Sequence, residues 1–486
     1  MNTFERLVFS FVIVSSLSAI TSVALFSSML SGEGLSKVGY TALALAGDIK
    51  QLKTSVLDSS DVKVYEPVEI VEEPVVVKEP EIENNLPTWR PLTKAKEELL
   101  SGHKDFLEVN FSANKVIKYE QGKPFIEKTI LNSGDPQGWG GTPAGLYSVS
   151  GKNEKAFSVA AGAYMPNAIH FYGKYFIHGE PYYNSGEKIV ADFSGGCIQL
   201  ADGDIGSIFN VSSVGLPVLV LDSEYINRHF NDVESSLPKI TAKSFAVVDL
   251  ESGSVLAEKE AETKRPMASI TKLMTAVVVA ENIDLRKGVY ANDAMLDAYG
   301  ATAGLVSGGF YKIVELFYPL LTESSNDAAE VLTGFMGRDK TISLMNKKAD
   351  HLFMENTRFS DPSGFDERNV STAQDLTTLA RYVYYNRKPI LDITKDKQVV
   401  TFGPIAFDTA VLDNKNEFEK DKSFVGGKTG YTDEARNTGL FIFNVKNKDG
   451  EEFPIVVSVL ASESLKQDTE KILKWVEKEY ELERVG

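Results

Sequence analysis

Met267-Ala268-Ser269-Ile270-Thr271-Lys272, followed by an uncharged, largely apolar run from Leu273 to Ala280, is the stretch from which the rest of the chain can be read. Ser269 and Lys272 are three residues apart, so on a helix they share one face. The run offers no solvated face before Glu281, which predicts a helix buried on all sides. Burial disfavours an ammonium and lowers its pKa, so Lys272 reads as a base beside a hydroxyl. Taken alone, the same six residues also fit a surface helix with a stray lysine, because S-x-x-K is a common pattern.

The chain has 486 residues, 43% hydrophobic and 24% charged, which predicts two or three globular domains. Its formal net charge of -17 argues against a nucleic-acid partner. Cys197 is the one cysteine, so no intrachain disulfide and no cysteine zinc cluster can form. The five histidines (His103, His170, His178, His229 and His351) are too scattered for a metal site of the H-E-x-x-H kind, and no metal or cofactor is expected.

Leu7 to Gly32 carries no charge and is long enough to span a bilayer. Residues 1–33 are therefore expected to be an uncleaved transmembrane anchor in the cytoplasmic membrane, with a cleaved signal peptide as the rival reading. Residues 34–92 repeat a short acidic motif, Glu66-Pro67-Val68, Glu73-Pro74-Val75 and Glu79-Pro80-Glu81. Such a segment buries no core and predicts an extended spacer reaching on the order of 100 Å.

Residues 93–222 read as a mostly-β domain. Phe106 to Tyr119 alternates as a strand, Gln121-Gly122-Lys123 turns, and Gly138 to Gly145 is a loop. Ala168-Ile169-His170-Phe171-Tyr172 and Tyr175-Phe176-Ile177-His178 flank Gly173-Lys174 as a tight hairpin. In that register Ile169 faces His178 and His170 faces Ile177, which puts the two histidines on opposite sides of the sheet. His170 is then a strand histidine with a structural hydrogen bond. Residues 223–239 connect to a second domain, 240–486. There a hairpin (Phe245 to Leu250, Val255 to Glu258) precedes the buried helix, and helices dominate to about Asn386. Strands then return at Gly426–Thr432, Gly439–Val445 and Phe453–Leu460, before an amphipathic helix from Leu465. Helices on an antiparallel sheet give an α+β architecture.

Downstream of Ser269 stand Ser324-Ser325-Asn326, after the helix Val314 to Leu321, and Lys428-Thr429-Gly430, at the start of a strand. These three clusters in this order resemble the penicillin-binding proteins and serine β-lactamases. Ser325-Asn326-Asp327-Ala328-Ala329, Phe359-Ser360-Asp361-Pro362-Ser363-Gly364 and Gly427-Lys428-Thr429-Gly430-Tyr431-Thr432 narrow the resemblance to low-molecular-weight D-alanyl-D-alanine carboxypeptidases. No E-x-x-L-N segment lies between the second and third motifs, which argues against a class A β-lactamase. The resemblance implies that Ser269 is the acylated nucleophile and Lys272 its base. It implies further that Ser324 relays a proton, Asn326 holds Lys272 and the substrate amide, and Lys428 with Thr429 recognises the terminal carboxylate. The N–H groups of Ser269 and Tyr431, beside Gly430, would form the oxyanion hole.

In the first domain Cys197 sits in Ser194-Gly195-Gly196-Cys197-Ile198-Gln199-Leu200, downstream of Ile177-His178-Gly179. A lone cysteine is often a small buried hydrophobe, but here glycines allow N–H groups to converge near the sulfur and His178 offers a base. The pattern resembles the YkuD-type L,D-transpeptidases, with Thr142-Pro143-Ala144-Gly145 matching their T-P-x-G loop. Two residues depart from it. Gly195 replaces the usual histidine before Gly-Cys, and Gln199 replaces the frequent arginine or asparagine. The resemblance implies Cys197 and His178 as catalytic, with Ser194, Gly195 and Gly196 lining the site.

Together the two resemblances imply a membrane-anchored, extracytoplasmic enzyme of peptidoglycan stem peptides, acylated by β-lactams. The serine domain would remove the terminal D-alanine from pentapeptides, and the cysteine domain would cross-link the resulting tetrapeptides. The alternatives are a wall-binding or β-lactam-sensing protein with one or both sites inactive, and a D,D-endopeptidase.

Overall fold

The computed structural model describes residues 85–231, 236–297, 303–403, 405, 409–447 and 449–480. All of these belong to one compact unit. The predicted span Leu7–Gly32 and the acidic proline repeats lie outside the described residues. Among the described residues no helix is long and apolar enough to cross a membrane.

The cysteine half opens with helix α1 (Pro91–Ser101), whose proline lies in the first turn, where a missing N–H costs nothing. Strands β1 (Phe106–Asn110) and β2 (Lys115–Glu120) follow. The single strand expected over Phe106–Tyr119 is thus two. Asn110 accepts a hydrogen bond from the Ala113 N–H at 2.9 Å and Asn114 takes a left-handed φ of 53°, which reverses the chain. The remaining elements are β3 (Lys123–Thr129), β4 (Gly145–Ser148), β5 (Gly151–Ser158), β6 (Ala163–Tyr172), β7 (Tyr175–His178), β8 (Ile198–Gln199), α2 (Asp202–Val211) and β9 (Pro217–Leu221). One sheet runs β3-β2-β1-β9-β4 and the other β5-β6-β7-β8. Leu107, Val116 and Val218 of the first share a core with Ile169, Ile177 and Ile198 of the second.

The β6–β7 register corrects the one read from the sequence. Ile169 pairs with Ile177 and His170 with Phe176, with a bulge between His170 and Tyr172. The extra residue shifts the ladder by one, so His170 and His178 share a face instead of opposing one another. His170 still has a structural role, because its Nδ1 lies 2.6 Å from Ser150 Oγ and its Nε2 2.9 Å from the Gly173 carbonyl.

The serine half contains β10 (Ser244–Asp249), β11 (Val255–Lys259), α3 (Thr271–Asn282), α4 (Ile313–Leu321), α5 (Asn326–Thr333), α6 (Arg338–His351), α7 (Ala373–Asn386), α8 (Lys388–Thr394), β12 (Phe424–Thr432), β13 (Arg436–Lys446), β14 (Glu452–Ser462) and α9 (Leu465–Glu479). Its antiparallel sheet runs β11-β10-β14-β13-β12, leaving β12 at an edge. Ile442 and Val456 join the helical core around α3, while Phe441, Phe443 and Val457 pack with Ile472 and Val476 of α9. Every residue of α3 from Thr271 to Glu281 is buried, as its uncharged run predicts. Glu281, expected to mark the solvated end, is buried too.

The ends of the expected linkers are part of the fold. The Trp89 N–H donates to the Gly253 carbonyl at 2.8 Å and Trp89 Nε1 donates to Thr378 at 2.7 Å. In the expected connector, Arg228 is buried against Asp249 at 3.1 Å and Glu251 at 2.7 Å, and Phe230 enters the core. Composition marks the first of these segments as a spacer and position marks the second as a connector, but single large side chains dock both.

The halves meet over an ionic cluster. The Glu281 carboxylate lies 2.9 Å from the Arg387 guanidinium and 3.1 Å from the Lys348 ammonium, all three without solvent exposure, and accepts from the Tyr382 hydroxyl. Tyrosines of the cysteine half seal it. Tyr147 accepts from Lys348 at 2.9 Å and Tyr175 from Arg387 at 3.0 Å, while the Gly141 carbonyl accepts from Arg387 at 2.6 Å.

Candidate functional site

Ser269 lies in a short 3-10 turn, Ala268–Ile270, that feeds directly into α3, and Lys272 is in the helix's first turn. Lys272 has no solvent exposure. Its Nζ is 2.9 Å from Ser269 Oγ, 2.7 Å from Asn326 Oδ1 and 2.6 Å from the Ser363 carbonyl. A neutral amine has two hydrogens and one lone pair. The two acceptors take the hydrogens, and the lone pair is left for the serine hydroxyl. Burial first, and then the charge of Lys428, pushes the Lys272 pKa well below the lysine range, with Asp361 opposing. Burial thus favours the neutral amine, the form that can receive a proton.

Asn326 is brought there by α5, capped by Ser325 Oγ accepting from the Ala328 N–H at 3.1 Å. Ser324, just before the cap, has a left-handed φ of 62° and lines the cleft with Ser269 and Asn326. Edge strand β12 forms the opposite wall. Lys428, Thr429 and Gly430 lie in the middle of this strand, not at its start. A β-carbon on Gly430 would lie 2.8 Å from the Ser269 nitrogen, so only glycine lets the strand approach Ser269 this closely. Tyr431 is exposed at the mouth of a cleft of about 710 Å³ that Thr429, Lys415, Glu417 and Phe365 also line.

Two members of this site were not legible as such. The Ser363 carbonyl is a direct partner of Lys272 at a separation of 91 residues. Asp361 orders that turn, accepting from the Ser363 N–H at 2.7 Å and from Asn369 Nδ2 at 3.0 Å. Their stretch carries family resemblance but no local pattern that assigns a contact.

In the cysteine half, Cys197 precedes β8 and is half-buried. The structure does not join it to His178. The thiol lies 3.9 Å from the Lys174 carbonyl, while His178 Nδ1 lies 2.6 Å from the Gly179 carbonyl. Burial lowers the His178 pKa and pushes the Cys197 thiol up to about 11, against the Phe176 N–H and Lys174, which favour the thiolate. Ser194 Oγ donates to the Cys197 carbonyl and accepts from the Gly196 N–H at 3.3 Å, fixing the loop. A β-carbon on Gly196 would strike the Tyr175 ring at 2.3 Å, whereas at Gly195, φ 71°, the space is open. The histidine missing at position 195 is thus not excluded by crowding.

Residues 231–459 match the family model described as D-alanyl-D-alanine carboxypeptidase. A D-alanyl-D-alanine carboxypeptidase of Mycobacterium tuberculosis, DacB2, is 32% identical over 206 residues, covering 42% of this chain and 70% of the relative. The chain belongs to the D-alanyl-D-alanine carboxypeptidase family. A D-alanyl-D-alanine endopeptidase of Haemophilus influenzae is also 32% identical, over 209 residues, covering 41% of this chain and 70% of that protein. Among solved structures, a D-alanyl-D-alanine carboxypeptidase of Mycobacterium tuberculosis aligns at 27% identity and TM-score 0.45, covering 52% of this chain and 100% of the other. Residues 104–220 match a second model, the YkuD L,D-transpeptidase catalytic domain. In this carboxypeptidase the motif serine, lysine and asparagine converge in one cleft, and the transpeptidase motif folds as a separate site in the same compact unit.

Proposed function

We infer that the chain is a two-site peptidoglycan enzyme: a serine D,D-carboxypeptidase that trims pentapeptide stems and a cysteine L,D-transpeptidase that cross-links the resulting tetrapeptides. The observation that carries this reading is the hydrogen-bond set of Lys272, which leaves one lone pair for Ser269. Ser269 attacks the carbonyl before the terminal D-alanine, Lys272 takes its proton, D-alanine leaves, and water releases the acyl group. The Ser269 and Tyr431 N–H groups stabilise the oxyanion, with Gly430 allowing the approach. Cys197, as thiolate, then attacks the carbonyl of the third stem residue, expels the fourth to form a thioester, and passes the acyl group to a neighbouring stem's amine, which frees the thiolate again. An N-terminal anchor at Leu7–Gly32 would hold both sites on the outer side of the cytoplasmic membrane, where stems and β-lactams meet them.

The test is a pentapeptide muropeptide incubated with the protein and followed by mass. Tetrapeptide should form first and cross-linked dimer second. Cys197→Ala should stop at tetrapeptide and Ser269→Ala at pentapeptide. Undiminished cross-linking from pentapeptide by Ser269→Ala would break the sequence of the two reactions. A second reading, in which the cysteine half binds stems without turnover, is favoured by the thiol resting on the Lys174 carbonyl instead of His178. No dimer from pure tetrapeptide would decide for it.

The serine site also predicts a pH profile. Burial pushes the Lys428 ammonium down to about 7. Its charge is present below that pH and lost above it, so capture of the substrate carboxylate weakens as pH rises. For the pentapeptide, kcat/KM should therefore fall on the alkaline side of about pH 7, because kcat/KM reports the free enzyme. Lys428→Arg, charged throughout, should abolish that limb. A limb unchanged in the arginine variant would remove Lys428 as its origin.

A further inference from the structure

Lys174, in the turn between β6 and β7, faces two ways. Its ammonium donates to the Ala280 carbonyl at 2.9 Å and the Ile283 carbonyl at 3.1 Å, at the C-terminal end of α3. The Ala280 carbonyl is one a helix leaves unsatisfied, at the negative end of its dipole, and Ile283 is the extended residue that follows the helix. Its own carbonyl, on the other side, lies 3.9 Å from the Cys197 sulfur, and the Phe176 N–H also faces that sulfur. The thiol is thus bracketed by the two polar groups that flank Tyr175.

The same turn is fastened to the serine half at two further points. A β-carbon on Gly173 would lie 2.9 Å from the Glu281 carbonyl, and the Tyr175 hydroxyl accepts from Arg387 at 3.0 Å. The Tyr175 ring lies under Gly196, next to Cys197. The helix that carries Ser269 at its N-terminal end therefore anchors, at its C-terminal end, the turn that holds the second nucleophile. Twelve residues of helix separate the two ends, about 18 Å.

We propose that Lys174 is a positioning residue for Cys197: anchored through its ammonium on the carbonyls at the C-terminal end of α3, it holds the 174–176 backbone against the sulfur and brings a cation to the cysteine site. The cysteine site is accordingly completed by the serine half. This rests on the reading of Cys197 as the transpeptidase nucleophile. The charged groups that act on Lys174 are Arg387, Glu281, Asp284 and the thiol itself. Burial holds the ammonium down to about 8, so its charge is present at neutral pH and fades above it.

Cys197 is the only cysteine of the chain, so alkylation of the full-length protein by iodoacetamide reads this site alone. The rate should be followed against pH for the wild type, Lys174→Met and Lys174→Arg, with penicillin acylation of Ser269 reporting that each variant is folded. Lys174→Met should slow alkylation at neutral pH about tenfold, the effect of one pKa unit on the thiolate fraction, and the two profiles should converge above about pH 8, where the wild-type ammonium loses its charge. Lys174→Arg should restore most of the rate. A methionine profile that superimposes on the wild type, or is scaled equally at every pH, would overturn the proposal, because a purely structural anchor changes the rate equally on both sides of about pH 8. Alkylation requires no transpeptidase turnover. A rate lost only below about pH 8, in a protein that forms no dimer from tetrapeptide, therefore supports the positioning role and rejects only the transpeptidase reading.

Discussion

Lys272→Met is expected to lower the rate of Ser269 acylation by a fluorescent penicillin by roughly 10⁴-fold, the scale on which removing one member of a nucleophile–base unit acts. The amine at 2.9 Å from Ser269 Oγ is the serine's only titratable hydrogen-bond partner among the described residues. His351, the one histidine of the sequence beyond residue 229, is engaged elsewhere, its Nδ1 2.7 Å from the Leu146 carbonyl. Methionine fills the volume but leaves the Ser363 carbonyl without its Lys272 donor, a stability loss of about 1–3 kcal/mol. Thermal unfolding, measured alongside, separates that loss from the chemical one. Lys272→Arg is the sharper variant, because a guanidinium donates to the same acceptors yet cannot give up its proton. It should be equally slow. Acylation within tenfold of the wild type in either variant would show that another group takes the serine proton.

The second large effect is on stability. Glu281→Ala is expected to destabilise the protein by about 3–5 kcal/mol, because it leaves the Lys348 and Arg387 charges buried without their counter-ion. Burial alone would push the Glu281 carboxyl up; Lys348 and Arg387 outweigh it and hold it below the usual range. The group is charged in the folded protein for that reason. Urea unfolding of the full chain measures the loss, and a change below about 1 kcal/mol would show that water or the tyrosines already compensate the cations. Replacing Glu281, Lys348 and Arg387 together with apolar residues should recover much of the stability, since it is the broken set that is costly and not the absent one. Tyr147 and Tyr175 seal this cluster from the cysteine half, so the single variant should loosen the contact between the halves as well.

The serine machinery was legible because its signals are local. Ser269 and Lys272 are three apart, and the uncharged run behind them dictates burial, which by itself sets the direction of the lysine pKa. The Ser-Ser-Asn turn and the Lys-Thr-Gly strand are short motifs whose order along the chain suggests the cleft before any coordinates do. The cysteine motif is local in the same way, down to its departure at Gly195, but the expected pairing of Cys197 with His178 is not one the structure makes. The β6–β7 register was not. A bulge inserts one residue without a turn signal at Phe171, and a one-residue slip moves a histidine to the other face.

The sequence alone determined which residues could do chemistry, since that depends on residue type and on neighbours within one turn of helix or strand. Only the tertiary structure decided what those residues meet. The Ser363 carbonyl reaches Lys272 across 91 residues, and Lys174 reaches the end of α3 across 106 and 109. Glu281, placed by pattern at the solvated end of its helix, is charged and buried because two cations and the tyrosines of another half close over it. Burial of a polar group is a property of what docks upon it, and no periodicity along the chain encodes that partner. For α3, the sequence supplied Ser269 and Lys272 at one end, and the fold supplied Lys174 at the other.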